Sequence, residues 1–423
     1  VRRQRQMCIR DRRYAHRAGT KNTGTFPNRY YHAVCHCKSD QRKNVPSKIH
    51  RLDQFGVVGT KRMKFEDILE IKNGRNQRAV ENPRGKYPIY GSGGIMGYAD
   101  DYICDAYTVI IGRKGNINNP IFVEEPFWNV DTAFGLSANT DVILPRFLYY
   151  FCKKFDFERL NKTVTIPSLT KSDLLKIEIE PPNLLQQRDI VERLTKIERI
   201  IALRKLELKL LDELIRARFV ELFGDMFLNT MSWNEEPLEE MADVVSGITK
   251  GRKLKAQCTT EVPYMAVSNV KDGYIDWTTV KTIEATEQEI NQYRLLPEDV
   301  LMTEGGDPDK LGRGAIIKEP LENCIHQNHI FRVRLNATVI LPEFFAEYLR
   351  HQKSKRYFLG CAKQTTGIAS INMRQLKALP VLLPPLELQN QFADFVKVVD
   401  KSKAAVQKAL DQAQLLFDSL MQE

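Results

Sequence analysis

Apolar residues fall at Ile190, Leu194, Ile197, Ile201, Leu208, Leu211 and Ile215. Their spacing of four, three, four, seven, three and four is that of a coiled-coil seam, interrupted once at Arg204. Pro181-Pro182 precedes the pattern, and Asn183 with Gln186 three residues later forms a capping-box sequence. Gly224 supplies a stop, because glycine takes the left-handed cap conformation cheaply. A helix is therefore predicted over 183–225. About 39 residues at ~1.5 Å each make it roughly 58 Å long. Few globular cores hold a helix of that length, so it calls for a partner helix.

The partner lies in the same chain. A shift of 202 residues carries Ile166, Ser168, Leu174, Pro182, Leu184 and Gln187 onto Ile368, Ser370, Leu376, Pro384, Leu386 and Gln389. The second seam reads Phe392, Val396, Val399, Val406, Leu410, Ala413, Phe417 and Leu420, with Lys403 as its interruption. An internal duplication follows, with two amphipathic helices expected to form an intramolecular, antiparallel coiled coil. A shift of 173 residues then aligns Phe65–Gly74 with Leu238–Gly247. The duplication thus includes the domain starts. The order is domain (63–182), helix (183–225), domain (226–384), helix (385–423), an α+β architecture with a pseudo-two-fold internal repeat.

Both domains are rich in β-formers and turn residues. In the first, Tyr87–Tyr98 is studded with glycine and tyrosine, and no Gly-Lys-Ser/Thr follows to make a phosphate loop. Thr108-Val109-Ile110-Ile111 reads as a buried strand that delivers the basic turn Gly112-Arg113-Lys114-Gly115-Asn116. In the second, Asp299–Thr303 is a strand running into Glu304-Gly305-Gly306-Asp307, followed by Pro308 to Gly314. His326–Phe331 echoes Trp128–Phe134. Leu144-Pro145 and Leu341-Pro342 each open a helix with aromatics.

Charge changes this picture in one respect. Residues 1–62 hold 16 Lys+Arg against 3 Asp+Glu, a net of +13, and the whole chain is +10, which leaves −3 for residues 63–423. The basic character belongs to the leader, so whole-chain charge is poor support for nucleic-acid binding. The leader has no strand or helix periodicity. It reads either as a disordered nucleic-acid-binding arm or as translated sequence upstream of a natural start at Met63, and the second reading is favoured. Eight scattered cysteines build no zinc spacing and fit a reducing, cytoplasmic compartment. No run of about 18 apolar residues marks a membrane span.

These features together resemble the DNA-specificity subunit of type I restriction–modification enzymes. The signature Pro-Pro-Leu-x-x-Gln appears as Pro181-Pro182-Asn183-Leu184-Leu185-Gln186-Gln187 and Pro384-Pro385-Leu386-Glu387-Leu388-Gln389, the first departing at Asn183. The Leu222–Asp225 exit, Tyr90–Gly94 with Ile111–Gly115, and Glu304–Asp307 with Cys324–His329 also resemble the family. The resemblance covers 63–423 and implies two target-recognition domains, each reading half of a bipartite duplex target. The helices would set the spacer and dock two methyltransferase subunits, with restriction subunits joining the complex. This chain would be non-catalytic and hold no cofactor. S-adenosylmethionine would bind the methyltransferase, and ATP with Mg²⁺ the restriction subunits. A self-contained methyltransferase or nuclease, or a protein-only adaptor, are the alternatives. Against the first, the nearest string to an adenine methyltransferase motif is Asn118-Asn119-Pro120-Ile121-Phe122, which lacks the second proline, and no Walker motif is present.

Candidate DNA contacts follow from side-chain chemistry. Arg113, Lys114 and Asn116 sit on a flexible turn, where arginine suits guanine and asparagine suits adenine. Lys310 and Arg313 play the same part in the second domain. Gln327, Asn328 and His329 carry base-edge chemistry, unless they are satisfied inside the sheet. Lys250, Arg252, Lys253 and Lys255, mirrored by Arg75 and Arg78, suit phosphates. Tyr90 and Ser92 of the glycine-studded stretch are candidates as well. Tyr90, Tyr98 and Trp128 are expected in the core more than at a contact. No metal site is expected.

Overall fold

The computed structural model describes residues 62–163, 166–252, 258–307, 311–365 and 368–422. The expectations for residues 1–61, Lys253, Lys255 and Lys310 lie outside them.

Each domain begins and ends in a two-stranded clasp. Met63–Lys64 pairs antiparallel with Glu178–Ile179, and Asn234–Pro237 pairs antiparallel with Pro380–Leu383. Between the clasp strands the two domains share one topology. The first has a four-stranded antiparallel sheet in the order Leu69–Asn73, Ala133–Ala138, Thr108–Gly112, Ile121–Val123. The second repeats it as Ala242–Ser246, Ile330–Leu335, Val300–Thr303, Gly314–Ile316. A three-stranded sheet accompanies each. In the first domain it is the hairpin Tyr87–Gly91/Gly94–Ala99 with Trp128–Asn129 added in parallel. In the second it is Thr260–Met265/Lys281–Ala285 with Ile325–His326 in parallel. The second domain adds strands Gly305–Gly306, Ile368–Ser370 and Lys363–Thr365.

The apolar runs explain the centre of each sheet. Every residue of Thr108–Gly112 and of Val300–Thr303 is buried, because both faces are covered. Phe65, Ile71, Val109, Ile111, Phe134 and Leu136 form the first core, with Leu148 and Cys152 of the helix Pro145–Lys154 laid against them. Proline opens that helix and its counterpart Pro342–Arg350, where its fixed φ suits the first turn and its missing N–H goes unused.

The long helices run over Leu184–Phe223 and Leu386–Gln422. The capping box is formed: Gln186 N donates to Asn183 Oδ1 at 3.0 Å, and Asn183 N to Gln186 Oε1 at 3.2 Å. Gly224 ends the first helix at φ +75°, ψ −168°. That is a glycine region, but not the left-handed helical one expected. The chain leaves extended, and a Cβ there would lie 2.5 Å from Thr230 Oγ1.

The two helices pack on each other along their length. Leu194, Ile197 and Ile201 share a cluster with Leu410 and Phe417. Asp212 and Lys403 pair at 2.7 Å. Ile215, Phe219 and Phe223 share a core with Phe392 and Val399. Contacts thus ascend along one helix as they descend along the other. Of the expected seam, Leu194, Ile197, Ile201, Phe392, Val399, Val406, Leu410 and Phe417 are buried. Ile190, Leu208, Leu211 and Val396 are half-buried. A second apolar row on the first helix, Ile200, Leu203, Leu206, Leu210 and Leu214, stays 46–54% exposed.

Candidate nucleic-acid interface

One short segment organises the loops of each domain: Trp128–Phe134 in the first, Ile325–Phe331 in the second. Each enters as the parallel edge strand of the small sheet and leaves as a strand of the large one. Each is pressed against a glycine. A Cβ on Gly74 would lie 1.8 Å from Val130 O, and one on Gly247 would lie 2.0 Å from His326 O. No side chain fits there, which accounts for glycine at both ends of the 173-residue shift. Just beyond, Arg75 N donates to Asn129 O at 2.8 Å and Ile248 N donates to His326 O at 2.8 Å.

Several candidate residues converge on the first hub. Arg113 N donates to Thr132 O at 2.7 Å, and Val130 N donates to Tyr90 O at 3.0 Å. Lys114 bridges Ser168, and Gly115 N donates to Pro167 O at 3.0 Å. The basic turn, the Ile166–Ser168 loop and the Gly91–Gly94 turn carrying Ser92 therefore share one edge. Arg75, Arg78, Arg113, Lys114 and Asn116 are exposed there, and Ser92 is half-buried. The Arg113 guanidinium lies 5.8 Å from the Phe134 ring centroid. Arg78 is reached by a local turn, its N–H donating to Asn76 Oδ1 at 2.9 Å.

The aromatics divide. Trp128 is 7% exposed, its indole donating to Arg75 O at 3.1 Å. Tyr90 packs edge-on against Phe127, and burial raises its phenol above the ordinary range. Tyr98 departs from the core expectation at 45% exposure, because its strand edges the small sheet.

The second hub gathers a different set. Ser246 Oγ donates to Asn328 O at 2.7 Å, and Asn328 N donates to Ile248 O at 3.1 Å. Glu304 N donates to His329 O at 3.0 Å, and Thr303 N to Arg313 O at 3.1 Å. Lys250 and His329 are exposed, and Asn328 and Arg313 are half-buried. Gln327 is turned inward, its Oε1 accepting from Val267 N at 3.4 Å. Arg252 does not meet its expectation as a phosphate contact. Its guanidinium grips Glu289 at 2.6 and 2.8 Å and donates to Glu284 O at 2.9 Å. Bonded to that guanidinium, the Glu289 carboxyl falls to about 2. A fork committed to a carboxylate is not offered to DNA.

Asn129 and His326 are the buried polar members of the hubs, and both are fully covered. They occupy equivalent places, since Tyr90 pairs with Asn129 as Met265 pairs with His326. Among the described residues no group of His, Cys, Asp and Glu is arranged to hold a metal, and no helix is long and apolar enough to cross a membrane.

Residues 58–213 and 231–414 match the family described as type I restriction modification DNA specificity domain. The chain belongs to this family. A specificity subunit of a type I restriction enzyme from Methanocaldococcus jannaschii is 29% identical over 180 residues, a stretch that spans 42% of each chain. The EcoKI specificity subunit of Escherichia coli is 23% identical over 329 residues, covering 74% of this chain and 70% of the relative. The crystal structure of the type I restriction–modification S subunit from M. genitalium has a TM-score of 0.57 at 18% identity. It covers 85% of this chain and 94% of that one, which shows a shared fold.

Two elements of this specificity-family chain escaped the list of candidates. The Ile166–Ser168 loop lies against the basic turn, and Ile166 is 59% exposed. Its signal was the identity of Ile166 and Ser168 with Ile368 and Ser370 across the repeat. Glu304 is the other, and in sequence it is one residue of the glycine-rich stretch Glu304–Asp307.

Proposed function

We propose that this chain is the non-catalytic DNA-specificity subunit of a type I restriction–modification complex in the cytoplasm. Each domain reads one half of a bipartite duplex target. The observation that carries the reading is the repeated hub. Two domains of one topology present loop clusters at the same backbone positions but fill them with different side chains. A shared frame with unlike polar surfaces suits two half-sites of unlike sequence.

The long helices act as an antiparallel coiled coil, with a pseudo-two-fold relation between the halves. Forty residues span about 60 Å at 1.5 Å per residue. That is under two turns of duplex at ~34 Å per turn, so both domains reach one face with unread base pairs between. The exposed row Ile200, Leu203, Leu206, Leu210 and Leu214 supports docking of two methyltransferase subunits, because a continuous apolar stripe in water calls for a partner. Restriction subunits join that complex. S-adenosylmethionine belongs to the methyltransferase and ATP with Mg²⁺ to the restriction subunits, while this chain binds none of them. The target adenine is extruded into the methyltransferase. The near-neutral body makes DNA binding weak without that partner.

The test is single-molecule methylome sequencing of cells carrying this gene with its methyltransferase partner, and of the same cells with this gene deleted. Loss of one bipartite methyladenine motif on deletion is expected. Methyl transfer by the purified chain alone would overturn the reading and revive an enzyme.

A further inference from the structure

Arg113 and Glu304 hold the same backbone position in the two domains. Arg113 N donates to Thr132 O at 2.7 Å, and Arg113 O accepts from Leu169 N at 2.9 Å. Glu304 N donates to His329 O at 3.0 Å, and Glu304 O accepts from Ile371 N at 2.9 Å. The following residues repeat the match, since Lys114 bridges Ser168 as Gly305 pairs with Ser370. One position therefore offers a cation in the first domain and an anion in the second.

The anion is held in place. Glu304 Oε2 lies 2.6 Å from His329 Nδ1, and His329 Nε2 lies 3.3 Å from Asn328 Nδ2. One tautomer satisfies both bonds: Nδ1–H donates to Glu304, and Nε2 accepts from Asn328. The carboxylate is thereby held in one orientation by the imidazole, which Asn328 in turn positions. Its Oε1 makes no hydrogen bond among the described residues. A carboxylate beside phosphates is repelled, and it gives no affinity for the backbone. What it does offer is an acceptor for a base amino group, and the match in the major groove is cytosine N4.

We propose that Glu304, set by His329 and Asn328, is a base-reading residue of the second domain. It accepts from a cytosine amino group where the first domain presents Arg113 to guanine. This rests on the function proposed above. The swap of charge at one position would make the two half-sites differ there by which strand carries the guanine.

The test uses the full chain assembled with its methyltransferase partner. Methylation is measured on duplexes in which the bipartite target is changed one base pair at a time. Glu304→Gln should lower discrimination roughly tenfold or more at a single C·G pair of one half-site and leave the other half-site unchanged. Arg113→Gln should do the converse. Discrimination by Glu304→Gln equal to the parent at every pair overturns the proposal, as does a uniform loss on all duplexes with the complex still assembled. A parent complex that methylates no bipartite target would instead overturn the underlying function, so the two failures are told apart.

Discussion

Gln187 and Gln389 stand at the same point of their two long helices, and both are fully buried. Gln187 Oε1 accepts from Leu144 N at 2.8 Å, and its Nε2 donates to Val142 O and Pro182 O at 2.9 and 2.7 Å. Gln389 Oε1 accepts from Leu341 N at 2.9 Å, and its Nε2 donates to Val339 O and Pro384 O at 3.2 and 2.8 Å. Each amide thus ties the first turn of a long helix to the approach of the short helix that opens with Pro145 or Pro342. Removing either leaves three backbone groups, largely shielded from water, without these partners. Gln187→Ala or Gln389→Ala should cost about 1–3 kcal/mol in chemical denaturation. Gln186→Ala, beside the first on an exposed face, should cost less.

The end of the helix pair that holds Gln389 is also secured by aromatic packing. Phe392 lies 5.4 Å from Phe219 and 5.6 Å from Phe223 between ring centroids, and Phe344 lies 5.4 and 4.8 Å from the same two rings. The ring of four joins both long helices to the second domain. Phe392→Ala should destabilise by about 3–5 kcal/mol, the usual range for emptying a buried aromatic site. Thermal unfolding of that variant should show the second domain separating from the helices.

Lys403 interrupts the second seam and pairs with Asp212 of the first helix at 2.7 Å. Both side chains keep substantial solvent exposure, at 30% and 41%. Such a pair contributes about 0–1 kcal/mol. Lys403→Met should therefore shift stability by no more than about 1 kcal/mol in either direction. A loss of several kcal/mol on denaturation would assign the pair a role in fixing the register.

His326 gives the second domain an acid sensitivity of histidine origin, and the first domain, residues 63–182, holds no histidine. Burial drives its imidazole down to about 4 from the ordinary 6.5, against two carbonyl partners, Tyr293 O and Val245 O, that favour the charged form. The folded chain therefore binds fewer protons than the unfolded chain between these values. The stability contributed is full above pH 6.5 and is lost as pH falls toward 4, at up to about 1.4 kcal/mol per unit. His326→Asn, which installs the residue that Asn129 supplies in the first domain, should reduce the slope of stability over that window when denaturation is followed against pH, leaving the share of His351, whose imidazole burial also lowers.

The helices were legible because their signal is local. Seven-residue spacing, Asn183 before Gln186 and a glycine at 224 all act within a few turns. The domain repeat was legible through Gly74 and Gly247, where close backbone approach leaves no choice of residue. The surface was less so. Arg113 and Arg252 read alike, each a basic residue on a turn beside a glycine. Only folding brings Glu289, 37 residues away, onto Arg252, while Arg113 stays exposed. Glu304 was hidden for the opposite reason. Its equivalence to Arg113 lies in backbone bonds, and the side chains carry opposite charge.

The strand clasps have a consequence for how such a chain changes over time. Met63 lies opposite Ile179, and Pro237 opposite Pro380, so the chain enters and leaves each domain at one neck, just ahead of a long helix. Between Gly247 and His326 the second domain has 24 residues more than the first has between Gly74 and Asn129, yet both close on clasps of the same kind. The clasp closes the chain of each domain on itself, while Tyr150 in the first domain and Phe344 in the second seat the domain body on the helix pair. A substitution of everything between the two strands of one clasp therefore keeps both chain ends where they were, and under the proposed function it changes one half of the target and leaves the spacing as it was.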